Sequence, residues 1–279
     1  MTGPRRTLAR VVATVAVAMA LVVGCAPRPT AVAPVTEGAR IERYLSQLSR
    51  REQSAAMAEG GATIWSRVFA PCDTCPPRRL PALQAGFVLA WPDAFRLRVS
   101  SMFGTALDLG LAGDSITAYA PAQRWGVALD AVSDSLGLEQ PGRLATRLVS
   151  AGWRPPQPVW AGGTWEGGLL VLRWSEAADS VALAVDEAGK PVWARLWRDA
   201  RRGVAVGYER WEAVDGVPWP ALLKVRTLGG TLDLTCRLER VTFRARPDRS
   251  RLAVRIPADA ERLGLDRLRG LLERVGGVR

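Results

Sequence analysis

Four cysteines, eleven tryptophans and a large excess of arginine are the residues that could do chemistry in this 279-residue chain, and histidine does not occur. Without imidazole there is no Ser-His-Asp or Cys-His nucleophile system, no His-ligated zinc and no proton shuttle working near neutral pH. The nucleophile-elbow, P-loop, dinucleotide-binding and S-x-x-K patterns are absent as well; Gly189-Lys190 runs straight into Pro191. Asp108, Asp114, Asp186 and Glu187 fall at turns or on polar strand positions, where turn chemistry accounts for them. The sequence therefore reads as a non-enzyme, with no catalytic residue and no metal site.

The chemistry that is specified lies at the amino terminus. Met1 to Arg10 carries Arg5, Arg6 and Arg10 and no acid, and Val11 to Val23 is thirteen residues without a charge. These are the two regions of a signal peptide, too short to span a bilayer, which takes about 20 apolar residues. Leu21-Val22-Val23-Gly24-Cys25 follows and resembles the lipobox of bacterial lipoproteins. The resemblance implies cleavage after Gly24, a diacylglycerol thioether on Cys25 and a palmitate-type acyl group on the new amino terminus, with no other cofactor. Ala26 to Thr36 is rich in Pro and Ala and reads as an extended tether. The expected organisation is a signal peptide at 1–24, lipidated Cys and tether at 25–39, and one domain at 40–279. By the same resemblance, Ala26 after the lipidated Cys favours delivery to the outer membrane, facing the periplasm. Arg5-Arg6 fits a twin-arginine signal as well as general secretion, so both routes stay open.

Export decides what the other cysteines and the charge mean. Cys72-Asp73-Thr74-Cys75 is a C-x-x-C between prolines. A zinc ribbon needs a second such pair, and a thioredoxin-type site needs the motif to open a helix, which Pro76-Pro77 oppose. In an oxidising compartment the pair reads as a local Cys72–Cys75 disulfide stiffening a loop, with a redox role as the alternative. Cys236 reads as a small buried hydrophobe. Lys and Arg total 38 against 27 Asp and Glu, with Lys190 and Lys224 the only lysines; losing residues 1–24 removes three arginines and no acid, so +11 becomes +8. Nucleic acid is not a periplasmic partner. The arginines either meet anionic lipid or are solvated faces of strands and helices.

Periodicity supplies the elements. Ile41, Tyr44, Leu45 and Leu48 make a helical stripe; from Ala62 the period becomes two, with Phe87, Leu89 and Trp91, then Phe95, Leu97 and Val99, then Leu107, Leu109 and Leu111 on successive strands. Turn signals stand at Trp91-Pro92-Asp93, Phe103-Gly104, Gly113-Asp114 and Pro121. A helix carries Leu144, Leu148 and Val149, and Trp153 to Gly168 reads as an irregular loop with three tryptophans. Strands resume at Leu170 to Trp174 and Val181 to Val185, and glycine turns at 189, 203, 216 and 230 leave strands of about ten residues. Leu252, Val254 and Ile256 form a last strand, and Leu268, Leu271, Leu272 and Val275 stripe a terminal helix. Ten to twelve strands and a few helices predict a mainly β, α+β architecture: a strongly curved antiparallel sheet forming an open half-barrel, its concave face covered by the helices.

The run Arg98-Val99-Ser100-Ser101-Met102-Phe103-Gly104, then Leu107 to Leu111, then Asp114-Ser115-Ile116-Thr117-Ala118-Tyr119-Ala120-Pro121 resembles the hairpin series of LolA/LolB-like outer-membrane lipoproteins. The ending Val254-Arg255-Ile256-Pro257 is similar to the last strand of that family. The resemblance covers about residues 40 to 260 and implies a lipoprotein-localisation fold. It implies a hydrophobic cavity for lipid or lipoprotein acyl chains, in a monomer acting as an acceptor or envelope-assembly factor. Trp91, Phe103, Trp125, Trp174, Trp193 and Trp197 are the candidate cavity wall, with Trp193, Arg195 and Trp197 on one face; filling a closed core is the competing role for these rings. The alternative function is a structural outer-membrane lipoprotein that docks another envelope protein and keeps its interior filled.

Overall fold

The computed structural model describes residues 36–54, 56–69, 76–131, 140–156, 163–200, 202–246 and 248–267. The signal peptide, Cys25, the tether up to Val35, Cys72, Cys75, Trp160 and the stripe from Leu268 to Val275 lie outside them. The described residues belong to one compact unit that begins at Thr36.

Helix α1 spans Glu37–Ser54, so it begins within the stretch expected as tether. Thr36 caps it, its hydroxyl accepting from the Ala39 N–H at 3.4 Å, and Glu37 sets negative charge against the helix amino terminus. Its buried stripe is Ile41, Tyr44 and Leu48, extended at the two ends by Arg40 and Arg51.

The strands are β1 Met57–Val68, β2 Arg78–Arg79, β3 Leu83–Ala90, β4 Ala94–Ser101, β5 Gly104–Ala112, β6 Ser115–Ala120, β7 Trp125–Asp130, β8 Thr164–Glu166, β9 Leu169–Glu176, β10 Asp179–Val185, β11 Pro191–Trp197, β12 Gly203–Val214, β13 Val217–Thr227, β14 Leu232–Arg244 and β15 Glu261–Arg262. They form one sheet in the order β15-β7-β6-β5-β4-β3-β1-β14-β13-β12-β11-β10-β9-β8, with β2 beside β1. Each ladder is antiparallel except β15 on β7. The path does not close on itself. The adjacent residues Thr146 and Arg147 nevertheless bond to Ala94 O of β4 and to Glu176 of β9. In a flat sheet eight ladder steps would hold β4 and β9 about 38 Å apart. The sheet therefore curls, and the face that holds the buried apolar cluster is concave.

Helix α2 spans Pro141–Ser150 and starts with Pro141 in its first turn, where no N–H is needed. A side chain at Gly142 would come within 2.0 Å of Asp93 O, so the helix docks backbone to backbone against the β3–β4 turn. Its end turns through Ala151 in a left-handed conformation, and the chain then buries Trp153 completely.

The structure corrects four expectations from the sequence. There are fifteen strands among the described residues, not ten to twelve; β1 starts at Met57, ahead of Ala62, because Gly60-Gly61 masks the alternation. Trp153 stands in irregular chain as expected yet is buried in the core, and residues 164–166 of the expected loop are strand β8. Leu252, Val254 and Ile256 join no ladder. They cross the outer face where Gly110 and Gly126 leave room: a Cβ there would meet Val254 at 2.9 Å and Ile256 at 2.5 Å. The short closing strand is β15.

Candidate functional site

The concave face is the one surface of the sheet that the helices cover. Ile41, Tyr44 and Leu48 of α1, with Trp153, lie in the same cluster as Phe87 and Leu89 of β3, Leu170, Leu172 and Trp174 of β9, Val181, Leu183 and Val185 of β10, and Trp219 of β13. A chain of hydrogen bonds crosses this apolar interior. The Tyr44 hydroxyl donates to Trp153 O, the Trp153 indole N–H donates to Tyr208 Oη at 2.7 Å, and Tyr208 donates to Leu148 O at 3.2 Å. Burial pushes both phenols far above their ordinary pKa, so they act as neutral donors.

A cleft lies at the seam between the helices. It measures about 490 Å³ and is lined by Leu45, Arg143, Arg154, Pro155, Pro156, Trp174 and Glu176. Trp174 and Leu45 supply the apolar floor, and arginines stand at the rim. Glu176 is held by Arg147 at 2.8 and 2.9 Å and by Arg143 at 3.0 Å. Burial pulls its pKa up, but these hydrogen bonds and the two guanidinium charges outweigh it and leave the carboxyl below its usual range. The cleft thus presents no unpaired acid, while Arg154 pairs with Glu52 at the surface.

The outer face is built differently. A groove of about 790 Å³ runs over Glu59, Gln84, Gly86, Arg96, Arg98, Arg240 and Arg251. Arg96 grips Asp108 through two bonds of 2.8 and 2.6 Å, and Glu59 takes Arg244 and Arg251. Arg98, Arg244 and Arg251 are the paired, solvated arginines that one reading of the charge expects, whereas Arg96 is largely covered.

The six residues expected to line a cavity divide between the faces. Trp174 floors the cleft, and Trp91 packs in the interior, edge to face with Trp219 at 6.0 Å. Trp125 is two residues from buried Val127 and shares the concave face, but near the β7 edge. Trp193 and Trp197 are on the outer face, because Ala194 and Leu196 between them are the residues that join the core; Arg195 stacks on Trp197 at 5.2 Å. Phe103 is 93% exposed, beside Met102 at 89%, at the tip of the β4–β5 hairpin. Tyr44, Trp153, Tyr208 and Trp219, which do line the interior, were not singled out for it. Tyr44 was visible in the α1 stripe; the others sit beside turns or bulges where alternation fails.

Among the described residues no group of three or more Cys, Asp or Glu side chains is placed to hold a metal. Cys236 is half-buried, and burial pushes its thiol up to about 11, which leaves it protonated and unreactive. No described helix is long and apolar enough to cross a membrane.

No family model matches the sequence, and no curated protein matches it. Solved structures do match. A LolA superfamily protein from Nitrosomonas europaea superposes with a TM-score of 0.50 at 11% identity, over 74% of this chain and 96% of that one. A DUF1329 family protein from Desulfovibrio piger gives 0.50 at 9% identity, over 80% and 98%. The fold is LolA-like. In this chain α1 and α2 cover the concave face of the unclosed sheet, and the seam cleft lies between them.

Proposed function

We propose that this protein is an envelope lipoprotein, anchored through Cys25 in the outer membrane and facing the periplasm. In this reading it receives a hydrophobic ligand, a lipid or lipoprotein acyl chain, between its helical lid and its curved sheet. The observation that carries the reading is the seam cleft of about 490 Å³, whose lining residues Trp174 and Leu45 also pack in the apolar cluster of the concave face. That volume falls in the range of ordinary small-molecule sites, about 300–1,000 Å³. Each buried CH₂ is worth about 0.8 kcal/mol, so an acyl chain leaves a bilayer only for a surface that replaces the hydrocarbon. A protein carrying its own anchor works at one membrane, as acceptor or assembly factor. The exposed Met102-Phe103 tip supplies an apolar contact for that membrane.

The test is to express the chain from Ala26, extract it with organic solvent and analyse the extract by mass spectrometry, alongside titration with a fluorescent fatty acid. Recovered lipid or saturable binding is the expected result; failure of both removes the ligand-binding role. The dense packing of Tyr44, Leu48 and Trp153 favours a second reading, a docking lipoprotein with a permanently filled interior. That reading predicts no lipid and a specific envelope-protein partner in cross-linking.

A further inference from the structure

Helix α1 buries two arginines about three turns apart, and their surroundings differ. Arg40 donates from Nη1 to Gly168 O at 2.9 Å, lies 4.3 Å over the Trp165 ring, and has Glu187 at 3.8 Å. Arg51 is fully buried, and its Nε, Nη1 and Nη2 meet no hydrogen-bond acceptor among the described residues. Its guanidinium stacks on Trp211, 5.4 Å from the ring centre, and Trp211 leans in turn on Tyr208. Three further donors in this helix-covered interior are equally unsatisfied: the buried indole N–H groups of Trp91, Trp174 and Trp219.

Unsatisfied donors outnumber unsatisfied acceptors here, Gln47 Oε1 on α1 being the one acceptor among the described residues that is left in the same condition. A guanidinium cannot shed its proton under physiological conditions, even though burial pulls its pKa down. A buried charge without a partner is among the costliest arrangements a fold can keep. Stacking on an aromatic face leaves the N–H edge of a guanidinium free for the two-pronged contact it makes with oxyanions. Glu52, the residue after Arg51, pairs with Arg154, which lines the seam cleft, so the last turn of α1 that carries Arg51 borders that cleft.

We propose that Arg51 receives the oxyanion head group, carboxylate or phosphate, of an acyl-chain ligand whose chain occupies the Leu45–Trp174 cleft. The proposal rests on the ligand-binding reading above and adds the ligand's charge to it. Entry requires the last turn of α1 to swing, and at the surface that turn is held by the Glu52–Arg154 pair, an exposed contact that opens readily.

The experiment titrates the soluble chain from Ala26 with a long-chain fatty acid, its methyl ester, a lysophosphatidic acid and inorganic phosphate, following tryptophan fluorescence. The wild type should bind the fatty acid or the lysophosphatidic acid at least tenfold more tightly than the ester, and inorganic phosphate weakly. Arg51→Met should erase that preference while leaving ester binding unchanged, and its ligand-free melting temperature should equal or exceed the wild type's. Should Arg51→Met not fold, Arg51→Lys carries the same test, with a reduced preference expected. Equal binding of acid and ester by the wild type would overturn the head-group site and leave the ligand-binding role standing. Tight binding of inorganic phosphate alone would overturn the lipid as its source. Binding of none of the four would remove the role and the site together.

Discussion

The two faces of the sheet handle the same residue type in opposite ways. Outside, arginine is paired and, but for Arg96, wet: Arg96 and Arg98 share Asp108, and Arg244 and Arg251 share Glu59. Inside, the wall is aliphatic and aromatic, Tyr44, Trp153 and Tyr208 are joined in a hydrogen-bonded chain, and Arg51 stands without an acceptor. The difference teaches that the net positive charge describes a solvated exterior, whereas what distinguishes this molecule lies in the shape and donors of its interior. Electrostatic pairing in water contributes little per contact; buried packing contributes much more. Perturbations on the two faces should therefore differ in size and in kind.

Trp153→Ala should be the most damaging change, about 3–5 kcal/mol, because it removes a fully buried indole and the donor to Tyr208. Thermal or urea unfolding measures it, and a loss under 1 kcal/mol would mean the interior is not packed as described. Tyr208→Phe isolates the polar part of that contact. It leaves the Trp153 indole N–H buried without an acceptor and should cost about 1–3 kcal/mol. On the outer face, Gly126→Ala drives a methyl against Ile256 and should cost about 1–3 kcal/mol by displacing the crossing segment; protease sensitivity after residue 250 should rise.

Acid should act through both faces in one direction. Glu59 is held below its usual pKa by the Arg244 hydrogen bond, against burial and with help from Arg251; Glu176 is likewise low, its burial outweighed by Arg147 and Arg143. A carboxyl whose folded pKa is depressed stabilises the fold above its unfolded value, about 4.3, and loses that contribution as pH falls through the folded value. Unfolding free energy should thus decline below about pH 4.3, and Glu176→Gln should flatten part of the decline. The smallest effect belongs to Arg98→Ala, within about 0.5 kcal/mol, because its link to Asp108 is long and exposed and Arg96 already satisfies that acid.

Much of the fold was legible because alternation reports half-buried strands faithfully. Phe87/Leu89, Leu97/Val99 and Leu107/Leu109 are where the period of two places them, and the α1 stripe is where Ile41, Tyr44 and Leu48 require. Alternation gives two faces without saying which is inside. On β11 the larger side chains, Trp193 and Trp197, suggested the wall, yet the inward set is Ala194 and Leu196, small enough to fit beneath the lid. Phe103 failed for a different reason: it precedes the turn glycine Gly104, so its ring projects from a hairpin tip rather than from a pleat. The Leu252–Val254–Ile256 alternation was real, but it records packing on Gly110 and Gly126 rather than a ladder. Arg51 was invisible as a site because a charge at the end of an apolar stripe reads as its polar boundary.

The central claim is that a hydrophobic ligand enters from the seam onto the concave face, and a brominated fatty acid tests it most directly, because bromine quenches tryptophans it touches. Titrating wild type, Trp174→Phe and a Trp193→Phe/Trp197→Phe double variant should show saturable quenching that is sharply reduced only in Trp174→Phe. Absence of quenching, or quenching that disappears with the two outer-face tryptophans instead, would contradict the account.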